Sequence, residues 1–381
     1  VNILIVLVFY SGFAQVTFVV DNIPKETPKD ASIFISGDFE GWTGGQEKFQ
    51  LKKRDGVYML TLPKISGPIQ FKFTQGSWET VECDNKGLTI ENRNYVFKEP
   101  NDTISLEIAS WDNLNKIEKI STAAKNVTIL SDDFLMPELN QTRRIWLYLP
   151  PNYETAKHNF PVIYMHDGQN VFDTSTSYAG EWSVDETLNK LFEEKGLNFI
   201  VVGIDNGNDN RLKEYSPWEN DKYGGGEGDA YLEFIVKTLK PYIDSNYKTL
   251  TDKKNTAIIG SSMGGLISYY AGIKYTEVFG KIGVFSPSFW FSPEIYEYSK
   301  THGNINNTKM YFLAGSKEGG NTAIQEINQT IKDMYRVIEI LKNQNFPGQN
   351  INSLVVFDGK HNEYLWRSNF EEAILWLFSE N

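Results

Sequence analysis

The chain has 381 residues, with 37 Lys and Arg against 49 Asp and Glu, and a formal net charge of −12 at pH 7. Because nucleic-acid binding rests on clustered Lys and Arg, and the sequence has no basic stripe, we expect no nucleic-acid partner. The single cysteine, Cys83, excludes an internal disulfide and a multi-cysteine metal site, and we expect no metal and no cofactor. The length favours two domains, and a hydrophobic content of 40% can supply a core for each.

Residues 1–15 have the features of the end of a secretory signal peptide. Residues 3–10 form an apolar run, and Gly12-Phe13-Ala14 resembles a small-residue cleavage site before Gln15. No interior run reaches the roughly 20 apolar residues of a membrane helix. We therefore expect a secreted or periplasmic protein with no membrane anchor after signal removal. The alternative is that this segment forms a buried N-terminal strand.

Short β-rich runs separated by turns extend from residue 16 to about residue 108. The four clearest runs are 16–20, 32–36, 57–62 and 69–73. Their spacing and their alternation of apolar and polar residues predict a small all-β, immunoglobulin-like sandwich over 16–108.

Parts of this module resemble the starch-binding and glycogen-binding carbohydrate modules. The matching segments are Gly37-Asp38-Phe39-Glu40-Gly41-Trp42, Phe71-Lys72-Phe73 and Ser77-Trp78-Glu79, with Asn92-Arg93 further on. The resemblance implies a sugar-binding face made by Trp42, Lys72 and Trp78. A flat indole suits this role because it stacks on the apolar face of a pyranose ring. The alternative is that both tryptophans serve packing, within the sandwich or against the rest of the protein.

A polar segment, 109–128, predicts a linker, and the region 129–381 has a different pattern. In it, strand-like and helix-like segments alternate, as a doubly wound α/β sheet requires. The predicted helices include 183–194, 229–247, 264–275 and 369–378. The long polar loop 205–228 carries Tyr215 and Trp218, and we predict that it forms the rim of an acyl pocket.

The pentapeptide Gly260-Ser261-Ser262-Met263-Gly264 follows an apolar strand and matches the G-x-S-x-G nucleophile elbow. In such a turn Ser262 is the nucleophile, and the glycines at its flanks avoid a collision with neighbouring backbone. The N-terminus of the helix that follows favours negative charge at the serine. We predict that the backbone N–H groups of Met263 and Gln169 form the oxyanion hole, since Gln169 follows Gly168 and an earlier strand.

Chain order places the base after the nucleophile, and two of the four histidines lie there. His302 lies in a polar stretch without a preceding strand, whereas His361 follows the apolar run 353–357. We therefore predict that His361 is the base.

The acid should lie on a loop between the serine and the histidine. Glu318 is the carboxylate of the turn that follows the predicted strand 309–314. A carboxylate in this place fixes the imidazole tautomer and stabilises the imidazolium. The alternatives are Asp333, which lies inside a helical pattern, and Asp358, which is close to the histidine in sequence.

Several motifs in residues 130–381 occur in an order that resembles the Putative esterase family, which includes enterochelin esterase, esterase D relatives and feruloyl-type carbohydrate esterases. The motifs are YMHDGQNVFD (164–173), RRIWLYLPP (143–151), VGIDNG (202–207), EYSPW (214–218), SPSFW (286–290) and His361-Asn362-Glu363 with Trp366. The resemblance implies an α/β-hydrolase fold and ester hydrolysis, with Ser262 as nucleophile, His361 as base and the Gly-Ser-Lys-Glu turn as acid. We place the substrate pocket at Asp167, Tyr215, Trp218 and Trp290.

Two functions remain open, with a third as an alternative. The first is a serine esterase acting on an ester-decorated carbohydrate of feruloyl or acetyl type, with the β module holding the sugar. The second is a siderophore esterase of enterochelin type, whose anionic substrate would require basic residues such as Arg211 and Lys213. The third is a non-catalytic carbohydrate-binding protein, against which the presence of Ser262, Glu318 and His361 argues. The motifs set neither the acyl group nor the oligomeric state.

Overall fold

The computed structural model describes residues 15–379, apart from residues 66, 86, 88–89, 98–100, 113–119, 178–179, 304–307 and 319–326. The predicted signal segment, 1–15, therefore lies outside the described residues except for Gln15. The chain divides into two compact units, Val1–Ile117 and Glu118–Asn381.

The first unit is β-rich, as predicted. Its strands are β1 Gln15–Asn22, β2 Ile33–Gly37, β3 Gln50–Arg54, β4 Val57–Pro63, β5 Pro68–Thr74, β6 Glu82–Cys83, β7 Arg93–Val96, β8 Asn101–Glu107 and β9 Ser110–Trp111. Seven of them are hydrogen-bonded in the order β7-β5-β2-β3-β4-β1-β8, and β6 pairs with β9. Strand β3 pairs with β2 through its first two residues and with β4 through its last three. This is how one strand passes between the two layers of a sandwich.

Alternation along the strands builds the core of the first unit. Val16, Phe18 and Val20 of β1 are almost fully buried, as are Phe71 and Phe73 of β5. Successive side chains of a strand point to opposite faces, so every second residue enters one core. The rings of Phe18 and Phe71 meet edge to face at 5.0 Å.

Both units extend into the segment predicted as a linker, 109–128. Trp111 is fully buried in the first core and donates its indole N–H to Thr27 Oγ1 at 2.8 Å. Residues 121–124, which we call the strap, bind the second unit. The strap makes four hydrogen bonds to carboxylates. Ser121 Oγ and the Thr122 N–H donate to Asp173, Thr122 Oγ1 donates to Glu181, and the Ala124 N–H donates to Asp185.

The second unit contains the doubly wound sheet. Its strands are β10 Val127–Met136, β11 Gln141–Tyr148, β12 Val162–His166, β13 Ile200–Ile204, β14 Glu219–Asn220, β15 Gly224–Gly225, β16 Thr256–Ser261, β17 Lys281–Phe285, β18 Lys309–Gly315 and β19 Ile351–Val356. Eight of them form a sheet in the order β10-β11-β13-β12-β16-β17-β18-β19. Strand β11 is antiparallel to both its neighbours, and all later pairs are parallel.

Helices cover both faces of this sheet, and the predicted helices are present. Their bounds are α1 Val184–Lys195, α2 Arg211–Glu214, α3 Gly228–Glu233, α4 Lys240–Asn246, α5 Met263–Lys274, α6 Glu294–His302, α7 Gln329–Asn343 and α8 Glu363–Leu377. A π-helical stretch, Phe234–Leu239, joins α3 to α4. Helix α8 begins earlier than the predicted residue 369, because the Asn362 side chain caps it by accepting the Leu365 N–H at 3.1 Å.

The parallel strands are buried on both faces, which explains their nearly continuous apolar sequences. In β12, Val162 and Tyr164 enter one core, whereas Ile163 and Met165 enter the other. The carboxyl ends of the parallel strands meet at one edge of the sheet, where α/β proteins place their sites. Within the described residues, no helix has both the length and the apolar character to cross a membrane.

Candidate active site

Ser262 lies in a strained turn between β16 and α5. Its backbone has φ 59° and ψ −119°, a conformation that a non-glycine residue rarely adopts. Hydrogen bonds to the loop after β17 hold the turn. The Ser262 N–H donates to Phe285 O at 2.9 Å, and the Ser288 N–H donates to Ser262 O at 3.0 Å. The strand, strained serine and helix are the arrangement of a nucleophile elbow.

Two glycines allow this turn, Gly260 before the serine and Gly265 after it. A Cβ on Gly260 would lie 2.6 Å from Gly264 O, and a Cβ on Gly265 would lie 2.8 Å from Phe285 O. A Cβ on Gly264 would meet its nearest atom, in His166, at 3.4 Å, which is close to ordinary contact. The collision expected at both flanks of the serine is therefore found at Gly260 and Gly265, because Gly265 packs directly on the end of β17.

Glu318 and His361 meet on the loops after β18 and β19. Glu318 Oε2 lies 2.9 Å from His361 Nδ1. The carboxyl group is almost completely buried, while the imidazole side chain is 35% exposed. The alternative acids lie elsewhere. Asp333 sits in α7 and accepts a hydrogen bond from Gln329, and Asp358 pairs with Lys317 at the surface.

The Ser262 hydroxyl bonds to a second serine. Its Oγ lies 3.2 Å from Ser288 Oγ, and among the described residues no hydrogen bond joins it to His361. Bonds between nucleophile and base are often loose in a ligand-free enzyme and tighten when substrate binds.

The residues predicted for the oxyanion hole follow the elbow and strand β12. Met263 is the first residue of α5, and Gln169 lies in the helical turn Gly168–Asn170 that follows β12. A Cβ on Gly168 would lie 2.8 Å from the backbone of Ile204, so glycine lets this turn pack onto β13. Gln169 Oε1 accepts the Asn206 N–H at 3.1 Å, which fixes the turn against the 205–228 loop.

Asp167 forms an ion pair beside the elbow. Both its carboxylate oxygens accept hydrogen bonds from Arg211, and Oδ1 also accepts one from Asn206 Nδ2 at 2.7 Å. Burial alone would raise the pKa of Asp167, but the Arg211 guanidinium and the Asn206 amide together hold it below its ordinary value. A Cβ on Gly264 would lie 3.5 Å from Asp167 Oδ2, so the pair is at the start of α5.

Tyr215 lies beneath this ion pair and has no exposed surface, which does not fit its predicted place on the pocket rim. The Asp167 N–H donates to its hydroxyl at 3.1 Å, and its ring packs 5.2 Å from those of His166 and Tyr231. His166 is also buried, and this burial lowers its pKa to about 3, so the imidazole is neutral. Tyr215 therefore supports the loop that carries Asp167.

The two predicted tryptophans differ in exposure. Trp218 is half-buried and packs edge to face against Tyr270 and Tyr298. Trp290 is 47% exposed and meets Tyr223 edge to face at 5.8 Å. It lies two residues beyond Ser288, which bonds to Ser262. Trp290 is thus an exposed aromatic side chain on the loop that also carries Ser288.

Sequence reasoning did not assign a role to Ser286, Trp366 or Glu363. Ser286 Oγ donates to Glu318 Oε1, and the Trp366 indole donates to Ser286 Oγ. Glu363 lies in the first turn of α8, and burial raises its pKa to about 7, with a further contribution from the Asp167 charge. Ser286 belongs to the SPSFW motif, and Glu363 and Trp366 belong to the HNE motif with its tryptophan. These motifs are the sequence signal that could have identified the three residues.

An open polar groove of about 500 Å³ lies at the same edge of the sheet. Gln169 and Asn206 line it together with Arg144 and Thr176. Gln169 thus borders the groove and also carries a predicted oxyanion N–H.

The predicted sugar site in the first unit is only partly exposed. The rings of Trp42 and Trp78 lie 5.9 Å apart with their planes at 40°, and Trp78 Nε1 donates to Trp42 O at 2.7 Å. Both indoles are partly exposed. Lys72 is 7% exposed within β5. Lys72 points to the face of β5 opposite Phe71 and Phe73, and at this exposure it presents little surface to a sugar, in contrast to the expected open contact. Its role in sugar binding stays a prediction.

The serine elbow follows the fifth strand of the sheet, and a carboxylate and a histidine follow the last two strands. This arrangement defines an α/β-hydrolase. The family model described as Putative esterase matches residues 136–377. The chain belongs to this family and is a carboxylic-ester hydrolase.

Relatives of known sequence match the chain over different lengths. The Uncharacterized protein YbbA of Bacillus subtilis is 30% identical over 247 residues, which are 63% of this chain and 94% of that protein. An Endo-1,4-beta-xylanase/feruloyl esterase of Xylanibacter ruminicola is 24% identical over 61% of this chain and 29% of its own length. An Alpha-amylase of Niallia circulans is 34% identical over 99 residues, 26% of this chain and 8% of that enzyme.

Solved structures show the same fold. The enterobactin esterase FES from Shigella flexneri superposes with a TM-score of 0.54 and 15% identity, covering 91% of this chain and 88% of that one. A ferulic acid esterase superposes with a TM-score of 0.51 and 17% identity, covering 66% of this chain and 98% of that one.

Proposed function

We propose that the chain is a serine esterase that acts on ester-decorated carbohydrate through Ser262, His361 and Glu318. The observation that carries the proposal is the bond of 2.9 Å between Glu318 Oε2 and His361 Nδ1, made at the sheet edge where Ser262 is held in its strained turn. A buried carboxylate on Nδ1 leaves Nε2 of the imidazole as the nitrogen that can accept a proton.

The reaction proceeds in two halves through an acyl-enzyme. His361 Nε2 takes the proton of Ser262 as its Oγ attacks the acyl carbonyl, and the N–H groups of Met263 and Gln169 stabilise the oxyanion. His361 then gives that proton to the alcohol oxygen, which leaves as the C–O bond breaks. In the second half His361 takes a proton from water, the hydroxide attacks the acyl carbon, and the proton returns to Ser262 as the carboxylic acid departs. Loss of one oxyanion donor typically costs about 3 kcal/mol of barrier.

A carbohydrate substrate suits the surroundings of the elbow. Trp290 offers an exposed indole two residues beyond Ser288, the partner of Ser262, and an aromatic acyl group can stack against it. The polar groove beside Gln169 suits a leaving group rich in hydroxyls. The similarity to a feruloyl esterase supports this substrate class, as does the partly exposed pair Trp42 and Trp78 together with the similarity to an amylase. A secreted or periplasmic location would bring the enzyme to such a substrate.

The siderophore alternative requires positive charge at the site. Arg211, the first candidate, is already neutralised by Asp167, and Glu363 adds a further acidic group close to both. Lys213 lies on the surface. This balance favours a neutral substrate over a catecholate, although enterobactin esterase shares the fold.

A panel of esters tests the proposal. Feruloyl and acetyl esters of oligosaccharides, p-nitrophenyl acyl esters and a catecholate triester are offered to the wild-type protein and to Ser262→Ala. We expect turnover of the first three classes by wild type alone. Preference for the catecholate ester would replace the carbohydrate substrate with a siderophore, and no turnover of any ester would refute the hydrolase mechanism.

A further inference from the structure

Two side chains beyond the proposed triad contact the acid and the base. Ser286 is fully buried just after β17, and its Oγ donates to Glu318 Oε1 at 2.6 Å. Trp366 is 5% exposed in α8 and donates its indole N–H to Ser286 Oγ at 2.8 Å. The same indole meets the His361 ring edge-on, with centroids 5.4 Å apart and planes at 86°. Each of the four side chains Ser286, Glu318, His361 and Trp366 thus contacts two of the others.

The indole fixes the direction of the serine proton. A tryptophan N–H can only donate, so Ser286 Oγ accepts it with a lone pair and points its own proton at Glu318 Oε1. The Gly315 N–H donates to the same oxygen at 2.6 Å. Oε1 therefore has two neutral donors, and Oε2 is left to face His361.

We propose that Ser286 and Trp366 are positioning residues that hold Glu318 with Oε2 toward His361 and set the basicity of that pair. The inference rests on the proposed function of the triad. The Ser286 hydroxyl stabilises the charged carboxylate. It thereby weakens the electrostatic attraction between the carboxylate and the protonated imidazole. The Trp366 ring edge limits rotation of the imidazole. Ser286 adopts φ 45°, and such strain in a non-glycine residue is characteristic of functional sites.

The first test is Ser286→Ala, which removes the donor and leaves the same Cβ on the strained backbone. We expect kcat/KM for p-nitrophenyl acetate to fall about tenfold, the rate equivalent of one hydrogen bond to a charged group, with KM little changed. The acid limb of the pH profile should move to higher pH, because a carboxylate with one donor fewer favours the imidazolium more strongly.

The second test is Trp366→Phe, which keeps an aromatic ring against His361 and removes the N–H. We expect a smaller change in the same direction. In the double variant, Trp366→Phe should add little to Ser286→Ala, because the indole N–H acts through the serine hydroxyl. Ser299→Ala is the matched control, since Ser299 is also fully buried, bonds to Tyr269 Oη at 2.8 Å and lies outside the site.

The outcomes separate positioning from structural support. If Ser286→Ala and Trp366→Phe lower the unfolding temperature as Ser299→Ala does but keep the wild-type pH profile and kcat/KM, the proposal is overturned. If Ser286→Ala does not fold, the pH dependence of fluorophosphonate labelling of Ser262 in Trp366→Phe decides in its place, and an unchanged profile overturns the proposal. A wild-type protein that neither hydrolyses esters nor reacts with the label refutes the proposed function, and the inference with it.

Discussion

Arg211 binds both carboxylate oxygens of Asp167, through Nε at 2.7 Å and Nη2 at 2.8 Å. The Asp167 side chain is 9% exposed and the Arg211 side chain 25%. A pair of this kind is costly to break, because removal of one partner leaves a buried charge without compensation. The pair also connects the loop after β12 to the long 205–228 loop beside the elbow.

We therefore predict that Arg211→Met lowers the free energy of unfolding by about 3 kcal/mol, measured by urea denaturation. Adding Asp167→Asn should restore part of this loss, because the unpaired charge is then gone. Arg144→Met is the control, since its partner Asp132 is 66% exposed and such pairs contribute at most about 1 kcal/mol. Equal losses in the two single variants would contradict a special role for the buried pair.

Ser262→Ala is expected to abolish hydrolysis of p-nitrophenyl esters, because no other atom takes the place of the nucleophile. The unfolding temperature should stay close to that of wild type, since the substitution keeps the backbone turn. Ser261→Ala is the neighbouring control and should remain active. Mass spectrometry after fluorophosphonate treatment should locate the label on Ser262, and a label on Ser261 would show that the nucleophile is misassigned.

The acid is tested by three conservative substitutions. Glu318→Gln should lower kcat at least about a hundredfold, because an amide cannot stabilise the imidazolium. Asp333→Asn and Asp358→Asn should leave kcat near wild type, since neither side chain lies at His361. His361→Ala should be as inactive as Ser262→Ala, because the triad acts as a unit. A large loss in either aspartate variant alone would move the acid to that position.

Glu363 should make stability depend on pH. Its folded pKa is about 7, above the ordinary value of 4.5, so the folded state binds the proton more tightly than the unfolded chain. Its stabilising contribution is complete below about pH 4.5 and is lost as the pH rises through 7, by at most about 3 kcal/mol. In Glu363→Gln, urea midpoints at pH 5 and pH 8 should therefore differ less than in wild type. Glu371→Gln, a substitution of a more exposed residue, should keep the wild-type difference.

The tryptophan pair of the first unit is tested by affinity gels. We expect Trp78→Ala to migrate faster than wild type through gels containing starch or xylan, because an exposed indole surface is lost. Glu79→Ala, on the same turn, is the control. Deletion of residues 1–117 should leave activity on small esters unchanged and lower activity on polymeric substrate. Unaltered retention of Trp78→Ala on every glycan would indicate that the pair serves packing alone.

Local patterns predicted the order of elements and the loops that carry the site. An apolar strand before Ser262, and similar runs before Glu318 and His361, were sufficient because each places its loop at the same edge of a parallel sheet. The burial of Lys72 and Tyr215 could not be predicted in this way. Lys72 lies between Phe71 and Phe73, and all three are buried, so the expected alternation fails there.

Contacts across the sheet edge could not be predicted from local sequence patterns either. Ser286, Glu318 and Trp366 come from three separate segments, and each alone resembles an ordinary serine, acid or core aromatic residue. Their roles depend on which donor reaches which oxygen, and this is set by tertiary packing. The resemblance to a family had already marked the Ser286 and Trp366 motifs, but only geometry assigns them to Glu318.

The strap at residues 121–124 determines how far the hydrolase unit can be shortened from its N-terminal side. Asp185 is fully buried in α1, and the Ala124 N–H donates to its Oδ2 at 2.7 Å. A shortened protein that began at Val127, the first residue of the sheet, would deprive this carboxylate and those of Asp173 and Glu181 of donors. The autonomous folding unit therefore begins upstream of its first strand, and a single-domain expression clone should retain Ser121.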